Sequence, residues 1–166
     1  MKITDKYVFF WGGIFSNWNK VNNGITITMY NKTVTLPTSE HLFMWLKAMY
    51  FEDLEIADKI TKTTDPKDAK ILGRLVKNFD EEKWKRKREE SMYLALNYKL
   101  LFDQNFKREL WAERYNDKLF VEASPYDCIW GIGLSENDPS VKSPENWKGL
   151  NLLGKLLTKL RNETRN

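Results

Sequence analysis

The sequence predicts an α+β fold, a small antiparallel sheet beside several packed helices, and three observations predict it. Ile25 to Tyr30 (I-T-I-T-M-Y) alternates with period two, and T-V-T-L-P returns the pattern after a short turn, as a hairpin with one buried face does. Several later segments repeat apolar residues at helical spacing and open on Asp, Ser or Thr, the residues that cap helix N-termini. The length of 166 residues, 42% of them hydrophobic, favours one domain across 1–166 with a real core.

In chain order, Tyr7 to Trp11 reads as a buried strand stopped by Gly12-Gly13, and the loop I-F-S-N-W-N-K follows. Asn31-Lys32 is the expected hairpin turn. Pro37-Thr38-Ser39 starts a helix that runs to about Phe51, with Thr38 or Ser39 as its cap. A short helix covers Leu54 to Ile60, and Thr64-Asp65-Pro66 caps a third that ends near Gly73-Arg74. Asp80-Glu81-Glu82 opens the longest helix, its acidic first turn matched to the helix dipole. A further helix is expected over Phe106 to Arg114, a strand over Lys118 to Glu122, a loop at S-P-Y-D-C-I-W-G-I-G, and a last helix from Asn146 to about Arg161.

Composition narrows the function. The single cysteine, Cys128, excludes an internal disulfide and a Cys-based zinc site, and the single histidine excludes multi-His metal motifs. Neither a signal peptide nor an apolar run of membrane length is present, so a cytoplasmic protein without a membrane partner is expected. The net charge of +4 suits phosphorylated or nucleic-acid partners, and the Lys83 to Arg88 run concentrates positive charge. Aromatics reach 14%, with seven Trp, which leaves candidates for stacking on a flat ligand beyond those the core needs.

The segment S-E-H-L-F-M-W-L-K-A, from Ser39 to Ala48, sets a carboxylate and a lysine seven apart on one helical stripe that is otherwise apolar. Two other segments put polar groups beside aromatics: F-S-N-W, and V-E-A-S-P-Y-D-C-I-W-G-I-G. W-G-I-G lacks the strand-then-helix context of a dinucleotide fingerprint, and no G-x-S-x-G, H-E-x-x-H or P-loop occurs. Carboxylates, one lysine, amides and tryptophans suit cleavage of a glycosidic C–N bond. Such a reaction develops positive charge at the anomeric carbon, which a carboxylate stabilises while a second group helps the nitrogen leave. Each residue also has a plainer role. Glu40 sits where helix dipoles favour acids, His41 reads as a structural hydrogen-bonder, Lys47 can snorkel, Trp84 can be core, and Asp127 can cap a turn.

Taken together, ordered segments across nearly the whole chain resemble the NADAR superfamily of YbiA-like N-glycosidases. They are F-S-N-W, S-E-H-L-F-M-W-L-K-A, A-K-I-L-G-R, Trp84 with Met92, Ala95, Leu96 and Lys99, L-F-V-E-A-S-P-Y-D-C-I-W-G-I-G, and W-K-G-L-N-L-L-G-K-L-L-T-K-L-R. Met44 departs from the pattern, standing where the family has Gln. The resemblance implies an N-glycosidase that needs no cofactor and no metal. Its substrate would be ADP-ribose on guanine, in nucleotides or ADP-ribosylated nucleic acid, or a ribose-phosphate pyrimidine intermediate of riboflavin synthesis. It maps Glu40, Trp84, Asp127 and Trp130 onto the active site with Asn17 nearby, and Lys47 onto a lysine implicated in covalent attack. Helical spacing adds Arg74, Lys85 and Arg88 as phosphate contacts. The rival class is a non-catalytic module that binds ADP-ribose or a nucleotide.

Overall fold

A computed structural model describes residues 1–165 and divides the chain into two compact units, Asn17–Gln104 and, flanking it in sequence, Met1–Ser16 with the stretch from Asn105 onward.

The flanking unit is built on a three-stranded sheet, β1 (Lys2–Ile3), β2 (Tyr7–Phe10) and β5 (Leu119–Glu122), in the order β1-β2-β5. β1 and β2 are antiparallel, whereas β2 and β5 run parallel with Phe9 opposite Val121. Parallel neighbours need a long crossover, and here the crossover is the whole Asn17–Gln104 unit. The sheet is therefore mixed, not the purely antiparallel one expected, and β1 is an element that two residues of sequence could not announce. Phe9, Val121, Ala123, Ile132, Leu134 and Val141 form one core cluster, with Tyr7 and Trp147 packed on it.

Helix α5 (Gln104–Leu110) ends sooner than expected, and Arg114 falls in a separate 3-10 turn, Glu113–Tyr115. The last helix, α6 (Leu152–Thr164), begins six residues later than the expected Asn146. Asn151 explains the late start. It holds a left-handed conformation, φ 54°, while its side chain accepts from Glu122 N–H at 2.9 Å and donates to the Phe120 carbonyl at 3.1 Å. It thus continues the β5 ladder instead of the helix. At Gly154 a Cβ would overlap the Phe120 carbonyl oxygen, so a glycine is what lets α6 lie against β5.

The Asn17–Gln104 unit opens with the hairpin β3 (Ile25–Met29) and β4 (Lys32–Leu36). Its turn is Tyr30-Asn31, one residue earlier than expected, with φ of 54° and 57° at the two positions. Two consecutive positive φ angles make the twist that a two-residue hairpin requires. Thr26 pairs with Thr35 and Thr28 with Thr33 through hydroxyls at 2.8 Å on the exposed face, while Ile25, Ile27 and Leu36 are buried. Four helices follow: α1 (Ser39–Tyr50), α2 (Leu54–Thr61), α3 (Pro66–Arg74) and α4 (Glu81–Phe102). Thr38, Asp53, Asp65 and Asp80 each accept a first-turn backbone N–H as N-cap, which satisfies donors a helix start leaves open. Helix α1 packs against α2, α3 and α4 in turn.

Candidate active site

Because neighbours surround it, α1 is buried along its length except at Lys47 and Tyr50. The charged stripe of the sequence is therefore no rim. Glu40 is only 6% exposed in the first turn, where the helix dipole favours a carboxylate, and its N–H donates to the Asn17 carbonyl at 3.0 Å. Asn17 is fully engaged: Oδ1 accepts from Ser39 Oγ at 3.0 Å and Nδ2 approaches Met92 Sδ at 3.2 Å. It ties the start of α1 to α4, a positioning role. His41 is buried with Nδ1 2.8 Å from Thr38 Oγ1, and burial lowers its pKa to about 4, so it is neutral near pH 7.

Lys47, two turns along, is half-buried. Its Nζ donates to the Gly73 carbonyl at 2.8 Å and lies 4.4 Å from the centre of the Phe79 ring and 5.7 Å from that of Trp84. Burial, and then the charge of Arg74, lower its pKa, while the carbonyl and the ring faces favour the ammonium form. Gly73 makes this contact possible, because a Cβ there would overlap Met44 Sδ. Met44, the departure from the family pattern, thus fills the α1–α3 seam.

Trp84 is 8% exposed, and its ring centre lies 5.3 Å from that of Phe43 and 6.2 Å from that of Phe51. It is part of an aromatic wall beside the lysine more than a free stacking face. Arg74 and Lys85 are exposed on α3 and α4. Arg88 is half-buried one turn after Trp84, and its Nε is buried with no hydrogen-bond partner among the described residues.

Asp127 and Trp130 belong to the flanking unit, on the loop that follows β5. Asp127 Oδ1 accepts from the N–H groups of Ile129 at 2.9 Å and Trp130 at 2.8 Å, so its turn-capping role is realised. The loop is pinned along its length: Ile132 N–H donates to the Glu122 carbonyl, and the Cys128, Ile129 and Trp130 carbonyls accept from Leu150, Leu152 and Leu153. The last two contacts satisfy first-turn donors of α6. A surface cavity of about 460 Å³ in this unit, with Arg161, Arg165 and Asp117 in its lining, includes none of these residues. Arg161 Nη1 is committed to the Tyr115 and Lys118 carbonyls at 2.6 and 2.7 Å, so the cavity's buried cation braces the chain.

The structure adds groups that the sequence did not assign to the site. The Gly73 carbonyl and Phe79 flank Lys47, and Ser39 holds Asn17. Lys99 is wholly buried, and burial lowers its pKa to about 7 against the opposing charge of Asp103. A signal for Lys99 was present, since it occupies the helical stripe of Met92, Ala95 and Leu96, all buried. Among the described residues no three His, Cys, Asp or Glu side chains group as metal ligands do, and no helix is long and apolar enough to cross a membrane.

Comparison with known proteins supplies a context. The family model described as the NADAR domain matches residues 9–165, which spans both units. N-glycosidase R617 of Acanthamoeba polyphaga mimivirus is 38% identical, over 96% of this chain and 97% of that protein. Protein irg-1 of Caenorhabditis elegans is 38% identical over 80% of this chain, which spans 62% of that protein's length. Among solved structures, the NMR structure of the E. coli protein YbiA superimposes with a TM-score of 0.69 at 26% identity, covering 98% of this chain and 86% of that one.

Proposed function

The chain belongs to the NADAR domain family, and from that membership we propose that it is an N-glycosidase that hydrolyses a ribosyl C–N bond, with ADP-ribose linked to a guanine base as its preferred substrate. The observation that carries the reading is a buried carboxylate and a half-desolvated lysine on one helix, Glu40 and Lys47. A carboxylate and a partly desolvated amine carried two turns apart on one helix are groups that glycosidic cleavage uses and that a module that only binds can do without. The name N-glycosidase borne by a relative matched over nearly its full length supports the same class.

In this reading Glu40 stabilises the positive charge that develops at the anomeric carbon. A neutral Lys47 amine bonds to that carbon as the bond to the base nitrogen breaks, and the proton that the new C–N ammonium sheds passes to the departing base nitrogen. The sugar ring opens to an imine on Lys47, which water hydrolyses, returning the free amine and the released sugar. Asp127 is assigned a second carboxylate function besides its loop-capping role. Trp130 is assigned to the substrate, and Trp84 walls the lysine. Arg88, with its unpartnered Nε, is the foremost phosphate contact, ahead of the exposed Arg74 and Lys85.

The preference for a substrate embedded in nucleic acid rests on charge: +4 overall, concentrated in Lys83 to Arg88, where additional phosphates reward positive side chains. The single cysteine and the absence of a disulfide among the described residues suit the cytoplasm. The test is a rate comparison at matched concentration and low salt, between DNA carrying ADP-ribose on guanine and a pyrimidine phosphoribosylamine. Faster release from the DNA is expected; faster cleavage of the pyrimidine compound reverses the ranking.

A further inference from the structure

Trp11 and Tyr126 are the most exposed Trp and Tyr of the flanking unit, 57% and 84% exposed, yet they touch each other, with ring centres 5.8 Å apart and planes tilted by 57°. Isolated exposed aromatics are ordinary, but two held against each other in water form a notch with an open face.

Their position is set by the sheet. Trp11 follows β2 and Tyr126 follows β5, the parallel pair, and Ala123 N–H donates to the Phe10 carbonyl at 2.7 Å just before the strands part. The carboxyl edge of parallel strands is where α/β sheets receive ligands. The ground on both sides is firm and open. Gly12 and Gly13 turn the chain with φ of 89° and 67°, and a Cβ on either would meet nothing within 4 Å. Tyr126 N–H donates to Ser124 Oγ at 3.3 Å, and the next residue is Asp127, whose carboxylate fixes the loop as far as Trp130.

We infer that Trp11 and Tyr126 form a stacking platform for a nucleobase of the substrate and select substrates that carry one. The inference rests on the glycosidase reading for the substrate's identity, but not for the binding itself. Every nucleobase has a π-face, and stacking on exposed aromatics is tolerant of sequence. No charged side chain is required, which separates this platform from the phosphate contacts assigned to α3 and α4.

The test uses the full chain and NMR titration of the Trp11 indole signal, assigned by its loss in Trp11→Ala. The probes are AMP, ribose 5-phosphate and a five-nucleotide single-stranded deoxyadenylate. AMP is expected to shift the signal and ribose 5-phosphate to leave it in place. Trp11→Ala and Tyr126→Ala should each weaken AMP binding by about 5- to 150-fold, while Trp11→Phe and Tyr126→Phe stay near the wild-type value. Binding of the strand in excess of AMP assigns the base to nucleic acid, and equal binding assigns it to a free nucleotide; either supports the platform. With base-bearing substrate the alanine variants should raise KM and leave kcat in place. Unchanged AMP affinity in both alanine variants overturns the inference, as does an equal response to ribose 5-phosphate. Dimerisation of the wild type that disappears in the double alanine variant overturns it too, by assigning the notch to a second copy of the chain. If AMP binds at the pair but no substrate is cleaved, the glycosidase reading fails alone. Unaltered AMP affinity and KM in variants that still cleave substrate would sink the platform alone.

Discussion

Lys47 Nζ donates a 2.8 Å hydrogen bond to the carbonyl of Gly73, a residue 26 positions away on a different helix. The bond aims the amine of α1 at the C-terminal end of α3, where partial negative charge collects. It depends on the absence of a side chain at Gly73, since Met44 fills the space a Cβ would take.

Gly73→Ala should therefore lower Tm even though alanine is the better helix former. The helix-propensity gain is about 1 kcal/mol, and crowding in a packed seam costs about 1–3 kcal/mol. Because Met44 is itself buried, it has little room to yield. If the two sites were independent, Met44→Ala would cost as much in the Gly73→Ala background as it does alone; because it removes the crowded sulfur, it should cost less there. The expected result of the double-mutant cycle is strong coupling, measured by thermal denaturation, and simple additivity would count against the crowding.

At Asp127 two substitutions separate two roles. Asparagine keeps an Oδ1 acceptor for the N–H groups of Ile129 and Trp130, so Asp127→Asn should preserve Tm and reduce turnover by about a hundredfold or more. Asp127→Ala should lower both. Near-normal turnover in Asp127→Asn would leave the residue a loop cap and nothing more.

Much of this was legible because it is local. The caps at Thr38, Asp65 and Asp80 follow from residue type beside a helical pattern, and the stripe that carries Glu40 and Lys47 follows from helix periodicity alone. What escaped depends on partners distant in sequence. The parallel pairing of β2 with β5 joins residues more than a hundred positions apart, and no periodicity encodes it. The hairpin turn shifted by one residue because Tyr30, a poor turn residue by type, accepts a positive φ beside Asn31. Likewise Asn151 looked helical from its neighbours, whereas its amide completes β5. At the site, the acceptor for Lys47 is a backbone carbonyl, which has no sequence signature.

Lys99 gives a pH-dependent signature of burial. Its amine titrates near 7 in the folded chain against a reference of 10.5. Between those values the unfolded chain holds the extra proton, so the wild type gains stability as pH rises, by up to about 1.4 kcal/mol per pH unit. Below that window both states are protonated and the burial cost is at its full value. Lys99→Met should thus stabilise the protein most at or below neutral pH, with an advantage that shrinks towards pH 9 or so. Urea denaturation of both proteins across that range measures it, and an advantage independent of pH would contradict the burial account.

Lys47 makes a covalent prediction. Borohydride added during turnover should reduce the imine and leave a sugar on Lys47, found by peptide mass spectrometry, and Lys47→Met should be nearly inactive. Full activity in Lys47→Met, with no adduct in the wild type, would transfer the attack to water.

The central claim is that this chain breaks a ribosyl C–N bond with the buried carboxylate of α1. The most direct measurement is release of ADP-ribose from DNA modified on guanine, followed over time for the wild type and Glu40→Gln side by side. The account predicts steady release by the wild type and a rate at least about a hundredfold lower for Glu40→Gln, with the two proteins melting at similar temperatures. Release at equal rates by both, or by neither, would contradict it.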